Sequence, residues 1–224
     1  MIYLKEGNVE EAYKYLTEAI KIDPYYSNAL LALGSINQDK GELEQALGKY
    51  KMSSKSSSNS PLVWNNLGLC FFTKKKYITA LACLKKANYL DPLQWIVNFN
   101  LGLVYMYTGQ YSSAYIHMNT VTKIKPTISL AFMYLGVILS KLGDIESSID
   151  KYESSLTLDG KNYLTLFNYT ISLISNEMYG NARSKFSEFV KLFNSDTEER
   201  DYREEVLTMS KLLKDELKKH QITK

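Results

Sequence analysis

Glycine keeps a fixed interval along this chain. Gly34, Gly68, Gly102 and Gly136 stand 34 residues apart. Gly7, Gly41, Gly109 and Gly143 keep the same interval with one gap, where Lys75 stands. Ala12, Ala46, Ala80 and Ala114 form a third series, continued by Ser148 and Ala182, and Pro24, Pro92 and Pro126 a fourth, with Ser58 at the skipped place. A unit of this length cannot bury an apolar face alone, so successive copies must stack on one another. The third copy, PLVWNNLGLCFFTKKKYITALACLKKANYLDP, shows what each unit is. Trp64, Leu67 and Phe71 have the spacing of one helix face, and Ala80, Leu84 and Ala87 repeat it on a second helix. Gly68 and Ala80 are small because two helix axes approach closely where they cross; Gly34, Gly102, Gly136 and Ala114 hold the same places in other copies. Gly41, Gly109 and Gly143 fall between the helices, where a left-handed residue ends the first helix. Lys75 lacks glycine's freedom, so the third turn is expected to differ locally. The prolines close each unit, since proline cannot continue a helix.

Trp64, Leu67, Gly68, Phe71, Ala80, Leu84, Ala87 and Pro92 resemble the W-x2-L-G-x2-Y, A-x3-F and P positions of the tetratricopeptide repeat, with Phe for Tyr and Leu for Phe. The resemblance implies an all-α, right-handed solenoid of helix-turn-helix hairpins. The array is expected over residues 1–196, as a partial repeat at 1–26 and full repeats at 27–60, 61–94, 95–128, 129–162 and 163–196. In the last copy Thr170 replaces the packing glycine and Glu177 the turn glycine, as is usual near a terminal repeat. Residues 197–224 read as a capping helix and short tail. Ser195 and Glu198 have capping-box spacing, and Tyr202, Val206, Met209, Leu213 and Leu217 form one apolar stripe. A free partner-binding helix is the rival reading of that stripe. At the other end Met1 falls inside the first helix of a repeat, so the sequence reads as a fragment of a longer array, with an apolar face exposed near Ile2 and Leu4.

Composition narrows the function. The net charge of +3 gives no general case for nucleic-acid binding. No apolar run reaches the roughly 18–20 residues of a membrane span. Cys70 and Cys83 have no zinc spacing and read as small core residues in a reducing compartment. His117 and His220 stand alone, and no HExxH, GxSxG, Walker or GxGxxG motif occurs. No nucleophile, base and orienter come together, so the chain reads as non-enzymatic, with no cofactor and no metal.

Function is then expected to be binding, on the extended concave surface of stacked repeats. By the family's geometry the first helix of each pair lines that surface. The candidates are Asn65, Asn66, Leu69 and Phe72, then Phe99, Asn100, Leu103, Met106 and Tyr107, then Met133, Val137, Phe167, Asn168 and Ile171. Asn66, Asn100 and Asn168 recur at one place in the unit, as an amide ladder either for a peptide backbone or for neighbouring helices. Leu31, Asn65 and Ile96 fill the places where chaperone-tail clamps carry cations, so an apolar extended or helical segment suits the row better than an acidic tail. Pro92 through Thr122 carries no Asp, Glu, Lys or Arg, 31 residues that read as a face covered by partner subunits. Lys74, Lys75, Lys76, Lys85 and Lys86 offer a weak contact to anionic headgroups, against the alternative of a solvated turn. The Ser-rich stretch 51–60 keeps the repeat register and reads as a poor helix end.

The WNNLGLCFF run at Trp64–Phe72, KKKY at Lys74–Tyr77 and CLKKANYL at Cys83–Leu90 are not required by the repeat pattern. They resemble the Bardet–Biedl syndrome 4 family, the tetratricopeptide-repeat subunits of the BBSome. The likeness is strongest over residues 60–114 and reaches EEVLTMSKLLK near the end. It implies a scaffold for ciliary membrane-protein trafficking and cilium assembly. Its partners would be other BBSome subunits, among them a small extended subunit in the groove, and pericentriolar or motor-adaptor proteins. Its place would be the cytoplasm, cilium, basal body or centriolar satellites, with centrosome and cytoskeleton links. The alternatives are the substrate-recognition region of an O-linked N-acetylglucosamine transferase or a general co-chaperone.

Overall fold

The computed structural model describes residues 9–195 and 203–220. Among them are twelve α-helices and no strand: α1 (Val9–Ile22), α2 (Ser27–Asp39), α3 (Leu43–Ser56), α4 (Pro61–Thr73), α5 (Tyr77–Leu90), α6 (Trp95–Tyr107), α7 (Tyr111–Ile124), α8 (Ser129–Leu142), α9 (Ile145–Leu158), α10 (Tyr163–Ser175), α11 (Tyr179–Ser195) and α12 (Arg203–Lys219). The fold is all-α and of the tetratricopeptide type. The chain forms two compact units, residues 1–109 and 110–224. Ile2 and Leu4 lie outside the described residues.

In the first unit α2 pairs with α3 and α4 with α5, with α6 packed on both α4 and α5. Missing side chains set the approach within each pair. A β-carbon on Gly68 would lie 2.6 Å from Leu84 Cγ, and one on Gly34 would meet the ring of Tyr50. Ala46, Leu47 and Tyr50 of α3 join Val63, Leu67 and Cys70 of α4 and Cys83 of α5 in one buried cluster, with Trp64 half-buried against it. Ala80 and Gly102 are buried. Trp64 also donates from its indole to the Ser58 carbonyl at 2.7 Å, securing the turn where the proline series is broken.

The turns correct one expectation. Gly41 has φ +78°, and Lys75 adopts φ +57° at the same place. The amides of Gly41 and Glu42 reach back to Gln38 and Asn37 at 2.9 and 2.8 Å; those of Lys75 and Lys76 reach Phe72 and Phe71, both at 2.8 Å. The lysine turn is therefore the glycine turn. Packing of the two helices dictates the backbone, and Lys75 takes the left-handed conformation at a cost of roughly 1–2 kcal/mol. Glu177 does likewise in the second unit, at φ +60°.

In the second unit α7 packs on α8, α8 pairs with α9, and α10 with α11. A β-carbon on Gly136 would be 3.0 Å from the Tyr152 ring, and Ser148 donates to the Gly136 carbonyl at 2.8 Å across the same crossing. Ala114 and Ala182 are buried at the equivalent alanine places. Thr170, standing for the packing glycine, is buried and donates to the Leu166 carbonyl at 2.8 Å. Helix α12 lies against α10 and α11. Val206 enters a cluster with Tyr163, Phe167, Phe189 and Phe193, and Leu217 a cluster with Ala182 and Tyr169. Arg203 stacks its guanidinium 4.4 Å from the centre of the Phe193 ring and donates to the Phe193 carbonyl at 3.0 Å. Two details of the expected cap need correction. Ser195 belongs to the end of α11, not to the start of the cap, and its hydroxyl donates back to the Leu192 carbonyl at 2.8 Å. Met209 leaves the apolar stripe, 48% exposed. Glu198 and Tyr202 lie outside the described residues.

Candidate partner-binding surface

Stacking α2 beside α4 opens a cavity of about 600 Å³ in the first unit. Leu31, Ala32 and Ile36 of α2 and Leu62 of α4 line it with apolar surface, while Asn28, Ser35, Asp39 and Asn66 add polar groups. Of the residues expected on the inner row, Asn66 lines this cavity. Leu31 and Ser35 stand 34 residues before Asn65 and Leu69, so the repeat interval already pointed to them. Leu62 repeats the place of Asn28. Short side chains at Ala32 and Ser35 leave the space that bulkier residues would fill.

The amides do something other than wait for a ligand. Asn100, buried on α6, donates from Nδ2 to Asn65 Oδ1 at 2.8 Å, and Asn65 donates to Asn66 Oδ1 at 3.1 Å. Asn65 and Asn100 thus tie α4 to α6, and this corrects their assignment to the open row. A buried amide left unpaired costs roughly 1–3 kcal/mol, which is why each finds its partner inside the fold. Nearby, Tyr50 donates to Gln38 Oε1 at 3.2 Å, and the Cys70 thiol contacts the same oxygen at 3.6 Å. Burial pushes the Tyr50 phenol up, and the Cys70 thiol up to about 11, so Cys70 stays protonated and inert. Cys83 is shifted up as well, again by burial.

Leu69, Phe72, Phe99, Leu103 and Met106 are half-buried. Phe72 holds Tyr107 edge-on at 5.2 Å and Tyr77 at 5.8 Å, and Tyr107 remains 63% exposed. Leu93, from the same uncharged stretch, is 72% exposed in this unit.

In the second unit the equivalent places are filled. Met133 and Phe167 are buried, which corrects their assignment to a partner-facing row. Phe167 packs on Phe189 at 5.3 Å beneath Val206 of α12. Met133 joins the cluster around Tyr152, whose ring stacks on Tyr169 at 4.9 Å. Asn168 donates to the Leu164 carbonyl at 2.8 Å and contacts Met133 Sδ at 3.8 Å. Val137 and Ile171 are half-buried. Long apolar side chains here complete a core, because burying them in the chain's own hairpins removes them from water without a partner. His220 stacks on Tyr179 with centroids 3.8 Å apart. Among the described residues no group of three or more His, Cys, Asp and Glu is placed to hold a metal ion, and no helix is long and apolar enough to cross a membrane.

Repeated hairpins, small residues at each crossing and left-handed inter-helix turns define a class. Family models described as tetratricopeptide repeat match residues 3–65, and residues 62–92 and 97–128. The chain belongs to the tetratricopeptide-repeat family. Within it the chain is BBS4-like. It is 38% identical over 194 residues to the BBSome complex member BBS4 of Bos taurus, covering 87% of this chain and 37% of that protein. It is 39% identical over 166 residues to the Mus musculus protein of the same name, covering 74% of this chain and 32% of that one. The chain thus spans well under half the length of these curated relatives. Among solved structures it resembles a chain of the APC/C hetero-tetramer Cut9–Hcn1, with a TM-score of 0.74 at 18% identity, over 93% of this chain and 40% of that one; this likeness concerns the fold.

Proposed function

We propose that this chain is a non-catalytic scaffold of the BBSome type. In this reading it holds an extended or helical apolar segment of another subunit against α2 and α4, in support of ciliary membrane-protein trafficking and cilium assembly. One observation carries the reading: the cavity of about 600 Å³ on the inner helices sets the apolar side chains of Leu31, Ala32, Ile36 and Leu62 among the polar groups of Asn28, Ser35, Asp39 and Asn66, in a chain whose sequence is BBS4-like. Leu31 and Leu62 supply apolar anchorage, and Asn66 fixes orientation with its amide. Leu69, Phe72, Leu103, Met106 and Tyr107 extend the contact along the first unit. Val137, Asn168 and Ile171 offer a shallower contact in the second. The partners are other BBSome-type subunits, with a small extended subunit in the groove, and pericentriolar or motor-adaptor proteins. The location is the cytoplasm, cilium, basal body or centriolar satellites.

The experiment is affinity capture from a ciliated cell with the tagged chain and with a Leu31→Asp/Leu62→Asp variant. Recovery of several BBSome subunits by the parent and their loss from the folded variant is expected. Capture of chaperones alone, or equal recovery by the variant, contradicts the proposal.

A further inference from the structure

The overall charge of +3 conceals an uneven distribution. From Gln45 to Gly143 the chain carries eleven lysines and a single acid, Asp91, so the remainder is net acidic. Eight of these lysines fall in the first unit: Lys49, Lys51, Lys55, Lys85 and Lys86 lie on α3 and α5, while Lys74, Lys75 and Lys76 stand in the turn between α4 and α5; none lines the cavity. Lys51, Lys55, Lys85 and Lys86 are exposed. Two are held in place: Lys86 Nζ lies 4.1 Å from the centre of the Trp64 ring and Lys85 Nζ 5.7 Å from that of Tyr105. Exposed Ile78 and Tyr89, 87% and 84% accessible, mark the two ends of the outward stripe of α5. Between those ends the stripe is floored by Ala82, and α3 has exposed Gly48 at the equivalent place, with nothing within 4 Å of a β-carbon built there.

We propose that this outer face of α3 and α5 is a second docking surface, for an acidic amphipathic segment of a partner protein. The ammonium groups meet the carboxylates, and Ile78 and Tyr89 grip apolar side chains at the ends of the shallow floor. Charge complementarity selects the occupant: α5 carries no acid, and the one acid of α3, exposed Glu44 at the repeat place of Ile78, is paired with Lys74, so the face keeps a net positive charge and repels a basic partner. Attraction to lipid headgroups needs neither lysines fixed on aromatic rings nor apolar grips at set spacing, so a protein segment is the better fit. The face is separate from the inner cavity and stands whether or not that cavity binds a partner.

The test uses the whole chain and three probes: a fluorescein-labelled amphipathic Glu/Leu peptide, an all-Glu peptide of equal charge, and vesicles of phosphatidylcholine with phosphatidylserine. A Lys51→Glu/Lys85→Glu variant is expected to lose about tenfold or more in affinity for the amphipathic peptide, with unchanged helicity and melting. Lys211→Glu/Lys214→Glu on α12 carries the same charge change and should bind as the parent does. Ile78→Ser should weaken the amphipathic peptide and leave the all-Glu peptide unaffected. Equal loss with both charge reversals, equal binding of the two peptides by the parent, or vesicle binding without peptide binding would overturn the proposal. A Leu31→Asp/Leu62→Asp chain that still binds the peptide separates this face from the inner one.

Discussion

Leu31 and Ser35 in the first unit and Phe167 and Ile171 in the second occupy the same places in the repeat, yet they do opposite things. The first pair borders a cavity of about 600 Å³; Phe167 is buried under α12 with Phe189 and Val206. A shared backbone plan therefore does not confer a shared surface. Side-chain volume at the inner places decides whether a hairpin offers room to a partner or closes over its own core. Where an extra helix supplies apolar cover, the inner residues become core.

The largest expected effect breaks that contrast directly. Phe167→Ala should destabilise the second unit by about 3–5 kcal/mol, since it removes an aromatic ring from a packed cluster, whereas Ser35→Ala at a cavity edge should cost under about 1 kcal/mol. Urea denaturation of the two variants checks this. Similar costs would mean that the inner places of the two units are equivalent after all.

The hairpins were legible in the sequence because close approach and turn geometry each demand a residue type. Gly34, Gly68 and Gly136 mark crossings that a β-carbon would obstruct, and first helices start at Ser27, Pro61, Trp95, Ser129 and Tyr163. The site was less legible. Asn65 and Asn100 looked like ligand groups because sequence spacing places a residue on a helix side but not its hydrogen-bond partner. Leu62 was missed because its importance lies in the space beside it, whereas Ser35 could have been reached from Leu69 through the repeat interval. The uncharged stretch was plain in the sequence. Tyr107, within that stretch, is exposed in the first unit.

Next in size is the crossing itself. Gly68→Ala should cost about 1–3 kcal/mol, because the new methyl meets Leu84, while Thr170→Ala at the equivalent place, which already accommodates a side chain, should cost less. Comparison of their melting midpoints sharpens the difference between a tight hairpin and a terminal one. Equal shifts would argue against close approach as the role of the glycine.

The smallest effect concerns the turns. Lys75→Gly and Glu177→Gly should each stabilise the chain by about 0.5 kcal/mol, the relief of a left-handed L-residue less the added freedom of the unfolded chain. Loss of stability in both would show that these side chains contribute more than the backbone conformation costs.

Hydrogen exchange of the chain alone and in complex with captured BBSome subunits addresses the central contrast most directly. Exchange slowed clearly more in α2 and α4 than in α10 is the expected result. Slowed exchange confined to α10 and α11, with α2 and α4 untouched, would contradict an open inner face in the first unit and a filled one in the second.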